Sequence, residues 1–220
     1  QTWSAYFNDI ASVLYLRYPR MHLHKLHKME KFYDDIAIGN ISNLVFLEPR
    51  YNNYDELGLP SQDQEAPHNV GQGDRLIKSI YEAIRASPVW NKTLFIVTYD
   101  EHGGFFDHIA PPNDSPSPDG VRSKDSSPPG FNFDRLGVRV PMILISPWIK
   151  KGLRIGEPDS AHYEHSSFSA TLLKLLIPDM SFLTKRDAWA APYHWVVDTL
   201  SSPRTDCIEK LPLAPIENFP

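Results

Sequence analysis

Two carboxylates and an imidazole, Asp100-Glu101-His102, are followed at once by Gly103-Gly104 and then by Asp107-His108. Hard carboxylate oxygens suit Mg, Ca or Mn, and an imidazole from His102 or His108 would move the preference toward Zn or Fe. A divalent ion held there polarises a phosphoryl oxygen or activates an attacking oxygen. Along a regular strand neighbouring side chains point to opposite faces. Adjacent carboxylates therefore converge only where the strand breaks, and Gly103-Gly104 permits the break because glycine tolerates positive φ. The plainer reading of the same residues is a turn that carries a solvated acid pair.

Two further histidines stand beside helix starts. His68 lies in APHNVGQGDRL and His165 in YEHSS. An imidazolium neutralises or protonates phosphate oxygens near neutral pH, and a helix N-terminus offers backbone N–H groups to anions. Each is equally explained as a capping or hydrogen-bonded histidine. His22, His24 and His27 have ligand-like spacing, but the interleaved lysines favour a solvated helix face. His162 and His194 fall in no usable pattern.

These residues need rigid mounts. Phe95, Ile96 and Val97, with Leu94 before them, form a continuous apolar run, the pattern of a strand covered on both faces in a parallel α/β sheet. Ahead of it Leu76, Ile77, Ile80, Tyr81 and Ile84 share one helical face, and Ser87-Pro88 closes that helix. Ser4 is read as the N-cap of a first helix carrying Ala5, Tyr6, Ile10, Val13, Leu14 and Leu16. Asn43 to Leu47 reads as a strand, 52–73 as a long loop, Val138 to Ser146 as a strand with Pro141 at a bulge or edge, and Ser166 to Leu176 as a helix capped by Ser166 or Ser167. The Pro-, Ser- and Asp-rich stretch 110–130 is expected at the surface, and 203–220 as a tail laid over the fold. No linker marks a division of the chain.

Composition narrows the function. The chain has 220 residues and a formal net charge of −5, with its basic residues scattered apart from Arg17 to Lys31. Non-specific binding to nucleic acid needs a cationic face, so nucleic acid is not an expected partner. The apolar runs are too short to span a bilayer, which leaves peripheral lipid contact. Cys207 is the single cysteine, which excludes an intrachain disulfide and a thiolate metal site. Compartment stays open between cytosolic, membrane-peripheral and secreted. A phosphate-binding Gly-x-x-x-x-Gly-Lys-Ser/Thr loop, a Gly-x-Ser-x-Gly elbow and a His-Glu-x-x-His pair are all absent from the sequence.

Asp100-Glu101-His102-Gly103-Gly104-Phe105-Phe106-Asp107-His108 resembles the Asp-Glu-His-Gly-Gly-Phe/Tyr-Tyr-Asp-His signature of the phosphoesterase family that contains plant non-specific phospholipases C, bacterial phospholipases C and acid phosphatases. FLEPRY at Phe46, IYEAIRASPVWNKTL at Ile80, FDRLGVRVPMILISPWIKKG at Phe133, YEHSS at Tyr163, FLTKRDAW at Phe182 and SPRTDCIEKLP at Ser202 are similar to the plant branch in order and spacing. The resemblance implies an α/β fold, the alkaline-phosphatase-like three-layer sandwich. It implies phospholipase C-like hydrolysis of a phospholipid to diacylglycerol and a phosphorylated head group, with phosphomonoester hydrolysis on the same scaffold as the alternative. By position it makes Asp100 and Glu101 ligands of a divalent metal ion of open identity. It makes His68 the phosphate contact or acid, places His102, Asp107 and His108 in or around the catalytic site, and puts His165 on the phosphate side or in a structural role.

The sequence departs from the family pattern at Asn69, where the family has Asp. It also contains neither the Glu-Asn-Arg-Ser-Phe-Asp motif that supplies metal ligands nor the Thr-x-Pro-Asn-Arg motif whose threonine resembles the nucleophile. Glu217-Asn218-Phe219 is no substitute. The expectation is therefore the C-terminal part of a single catalytic domain, 1–220, incomplete as a sandwich and inactive alone. The other expectation is a non-catalytic fragment that binds phosphate esters or a membrane.

Overall fold

The computed structural model describes residues 2–113, 115–120, 131–156, 158 and 161–214. They form a mixed α/β structure with a parallel sheet and group into two compact units. The first holds residues 2–97, 103–105 and 205–214, and the second 98–102 and the described part of 106–204.

In the first unit β1 (Trp3–Phe7) is the middle strand of a three-stranded parallel sheet, flanked by β2 (Leu26–Lys28) and β3 (Leu44–Glu48). Ala5 pairs with Leu26 on one side and Phe46 on the other. This corrects the expected first helix at Ser4. Two neighbouring strands take up the backbone bonds of Trp3 to Phe7, while Val13, Leu14 and Leu16 fall in and just after a 3-10 turn at Ser12–Tyr15. Between β1 and β2 runs the one-turn α1 (Arg17–Arg20), and a 3-10 turn at Leu23–Lys25 leads into β2. The histidine group at 22, 24 and 27 is thus spread over a turn and a strand, not a helix face.

α2 (Met29–Ala37) follows β2 and buries Met29, Phe32 and Ile36, which the 3.6-residue repeat sets on one face. Tyr6 from β1 meets this face and donates its hydroxyl to buried Asp35 at 2.9 Å. Burial first, and then Asp35, push the Tyr6 hydroxyl pKa well up. α3 (Val70–Ala86) buries Ile80, Tyr81 and Ile84, and its C-cap is Ser87 as expected. The chain around 207–211 lies along α3: Arg85 donates to the Cys207 carbonyl, Tyr81 to that of Ile208, and the Leu211 N–H to Glu82. β4 (Phe95–Thr98) closes this part of the chain, half-buried on Phe95, Ile96 and Val97 where full burial was expected.

The second unit contains β5 (Met142–Ile145), α4 (His165–Leu176) and α5 (Lys185–Trp189). β5 is shorter than the expected Val138 to Ser146. It starts after Pro141, which has no N–H for a ladder. α4 begins at His165, and its cap is Glu164 rather than Ser166 or Ser167. The Glu164 carboxylate accepts from the Ser167 backbone while Ser167 Oγ accepts from the Glu164 N–H. Leu173, Ala170, Ala190, Tyr193 and Val196 make the core here, with the Tyr193 N–H donating to buried Thr171. Of the loop expected at 110–130, residues 114 and 121–130 lie outside the described residues, as do 215–220 of the tail.

Candidate active site

In the first unit His68 is held by a carboxylate. His68 Nδ1 lies 2.9 and 3.0 Å from the two oxygens of Asp63, whose side chain is only 9% exposed. An ionised carboxylate only accepts hydrogen bonds, so Nδ1 carries the proton and Nε2 is the nitrogen left for other work. Asp63 is itself held. Ser61 Oγ, almost fully buried, donates to it at 2.7 Å, and the Glu65 N–H at 3.2 Å. The loop that carries the pair is tied to α3 at both ends. Gln64, buried and at φ 64°, donates to the Val70 carbonyl and to Asp74, and Asn69 caps α3 by accepting from the Gly71 N–H at 2.9 Å. Asn and Asp cap equally well, so the departure at residue 69 keeps the helix start intact.

Gly103 reaches this loop. Its carbonyl accepts from the Ala66 N–H at 3.3 Å, its φ is +64°, and a Cβ there would sit 3.3 Å from the Gln64 carbonyl oxygen and 3.0 Å from the Phe105 ring. Gly104 follows at φ +73° with open space around it. The Gly-Gly pair therefore breaks the chain direction after β4, as its composition predicts.

The carboxyl ends of β1 and β3 hold two more carboxylates, both already engaged. Asp9 accepts from the Ile10, Tyr51 and Asn52 N–H groups, and these donors outweigh the opposing effect of burial to hold its pKa below the usual range. Buried Glu48 accepts from the Ser12 N–H at 2.6 Å.

In the second unit Asp100 and Glu101 are exposed, and Asp100 Oδ1 accepts from the Glu101 N–H at 3.0 Å. His102 is exposed as well. His165, the first residue of α4, brings Nε2 to 3.0 Å from the Tyr99 carbonyl, the residue just before Asp100. Asp107 is clamped by Arg139, with Nε and Nη2 each donating at 2.8 Å, and also accepts from the Ile109 N–H. The Arg139 hydrogen bonds, followed by that of Ile109, hold the Asp107 carboxyl well below the usual carboxylate range. His108 Nδ1 lies 3.6 Å from Asp107, with its side chain 80% exposed.

The structure thus joins His68 to Asp63, Asp107 to Arg139 and His108, and His165 to the backbone ahead of Asp100. Asp63 and Ser61 lay in no motif of the sequence, and Arg139, inside the family-like stretch from Phe133, carried no assigned role. Asp63 stands five residues from His68 in an irregular loop, and Arg139 thirty-two residues from Asp107, so no periodicity linked either pair. A hard divalent cation takes six or more oxygen ligands. Among the described residues no group of three or more His, Cys, Asp or Glu is placed to hold one. The carboxylates at 100 and 101 do not make a metal site by themselves.

The model of the Phosphoesterase family matches residues 2–176. The chain is 47% identical over 215 residues to non-specific phospholipase C6 of Arabidopsis thaliana, covering 94% of this chain and 41% of that protein. It is 42% identical over 219 residues to non-specific phospholipase C1 of the same plant, covering 96% and 40%. To phospholipase C B of Mycobacterium tuberculosis it is 33% identical over 176 residues, covering 70% and 32%. The chain spans about two fifths of the length of the plant relatives it matches.

Proposed function

The chain belongs to the phosphoesterase family, and from that membership we propose that it forms part of a phospholipase C-like catalytic domain acting on phospholipids. The domain is of the alkaline-phosphatase-like three-layer type, and 1–220 is its C-terminal part. The bond broken is the phosphate ester on the glycerol side, which releases diacylglycerol and a phosphorylated head group.

The observation that carries this reading is the contact between His68 and Asp63. A carboxylate on Nδ1 fixes the ring and its tautomer and stabilises the imidazolium. When the P–O bond to glycerol breaks, the departing oxygen takes a proton from Nε2 of the imidazolium, and Asp63 keeps the ring aligned throughout. General acid catalysis of this kind contributes about 10²–10⁴-fold. Asp100 and Glu101 are proposed to grip a divalent cation together with ligands from outside these two residues. His102 and His108 are proposed to flank that acidic pair. Asp107 is proposed to shape their loop through Arg139, and His165 to fix the backbone ahead of Asp100. The nucleophile is assigned to no residue of this chain.

The test uses the whole protein that contains this chain, with phosphatidylcholine as substrate. His68→Ala and Asp100→Ala are each expected to lower turnover by about a hundredfold. Undiminished turnover in both would overturn the assignment. Hydrolysis of a soluble aryl phosphate with phosphatidylcholine left intact would make the protein a phosphomonoesterase instead.

A further inference from the structure

One stretch that the catalytic reading leaves unused has an unusual surface. Residues 10–29 contain no Asp or Glu, although the chain as a whole carries a net charge of −5, and they hold Arg17, Arg20, Lys25 and Lys28. The same stretch exposes Tyr15, Leu16, Tyr18, Met21 and Leu23, each between 59% and 85% accessible. Buried Pro19 pins α1 to the body of the first unit, while Arg17 and Arg20 on either side of it stand in solvent.

Ring contacts order part of this facet. Tyr18 stacks 4.1 Å from His22 and lies 6.1 Å from Trp3, and His22 lies 5.9 Å from His24. Lys25 Nζ sits 5.2 Å from the Trp3 ring centroid, and Lys28 Nζ 4.4 Å from that of Phe7. Aromatic faces thus hold two of the four cations in place.

We propose that this facet docks the protein on a phospholipid surface that carries anionic head groups. Cations near such a surface are drawn to its negative potential, and the apolar and tyrosyl side chains between them enter the head-group layer. Charge alone would also suit a nucleic acid. That partner, however, would leave Leu16, Met21 and Leu23 in water, whereas a lipid surface takes up both kinds of side chain. The proposal rests on the phospholipid reading above for its choice of lipid, and it names the surface through which that substrate is approached.

Flotation of this chain with vesicles of phosphatidylcholine, with and without phosphatidylserine, tests the facet. Binding is expected with phosphatidylserine and is expected to weaken with salt. Arg17→Glu with Arg20→Glu is expected to reduce it by roughly tenfold or more. Leu16→Ser with Met21→Ser is expected to lower binding to both compositions, and Lys92→Glu, exposed on another part of the same unit, to leave it unchanged. Circular dichroism of each variant establishes that it is folded. Failure of the native chain to float with phosphatidylserine would overturn the proposal, as would indifference to the arginine reversal. So would a longer form of the protein in which the reversal has no effect, because the facet would then be covered by the protein itself. Equal retention by a single-stranded oligonucleotide, lost on the same reversal, would overturn it too. Flotation needs no turnover, so a protein that floats yet hydrolyses nothing counts against the catalytic reading alone.

Discussion

Nε2 of His165 lies 3.0 Å from the carbonyl oxygen of Tyr99, sixty-six residues earlier in the chain. The N–H of the ring donates there, so the first residue of α4 holds the backbone immediately before the acidic pair. Replacing His165 by Ala removes one partly exposed hydrogen bond, and a loss of about 0.5–1 kcal/mol is expected. His165→Gln, which keeps a donor, is expected to recover part of it. Thermal unfolding measures the loss, and faster hydrogen exchange of the amides at 100–102 in the Ala variant locates it.

Asp63→Asn keeps the shape of the loop but gives His68 a partner that both donates and accepts. The amide turns its NH₂ toward Nδ1, and the imidazole proton moves to Nε2. Nitrogen NMR of the His68 ring in this chain reads that exchange directly. In the whole protein the same substitution is expected to lower phosphatidylcholine turnover on the order of a hundredfold. A ring that keeps its proton on Nδ1 in the variant would show that Asp63 does not set the tautomer.

Asp107 and Arg139 set a pH dependence. Arg139 holds the folded-state pKa of the Asp107 carboxyl far below its unfolded value, so the bridge contributes to stability above roughly pH 4. That contribution is lost as pH falls from there through the depressed folded value. Arg139→Met removes the larger part of the depression and leaves that due to the Ile109 N–H. The variant is expected to show a smaller loss of stability than the native chain between about pH 4 and pH 2, and a lower plateau above pH 5. Urea denaturation across that range checks both. Because the Arg139 side chain is 58% exposed, the effect is expected to shrink in high salt.

Gly103 and Gly104 both have φ near +70°, yet their surroundings differ. Gly103→Ala meets the left-handed strain, worth about 1–2 kcal/mol, and also the Gln64 carbonyl and the Phe105 ring. Gly104→Ala meets only the strain. Gly103→Ala is therefore expected to be the more destabilising, and it alone should disturb the loop of His68. Chemical shifts of His68 in the two variants check the difference.

How much of this was legible in the sequence depended on whether the deciding partner was local. α3 was readable because Ile80, Tyr81 and Ile84 repeat on one face, and β3 and β4 because short apolar runs ended at Pro or Gly signals. Trp3–Phe7 was misread because its partners, Leu26–Lys28 and Leu44–Glu48, lie far along the chain, while Ala5, Tyr6, Ile10 and Val13 mimic a helical spacing. The short helices α1, α2 and α5, of four, nine and five residues, have too few turns to stand out from the surrounding sequence. At the site, His68 and the Asp100 to His108 run stood out by type and spacing. Asp63 and Arg139 did not, because an irregular loop and a 32-residue separation leave no pattern to read.

The sheet order β2-β1-β3 leaves the five residues of β3 at one margin, with a row of amides and carbonyls on its outer side that no strand of that sheet takes up. Leu44-Val45-Phe46-Leu47 has neither a lysine nor a proline to discourage an incoming chain. Kept concentrated as an isolated polypeptide, the molecule carries a ready template for self-association along that margin.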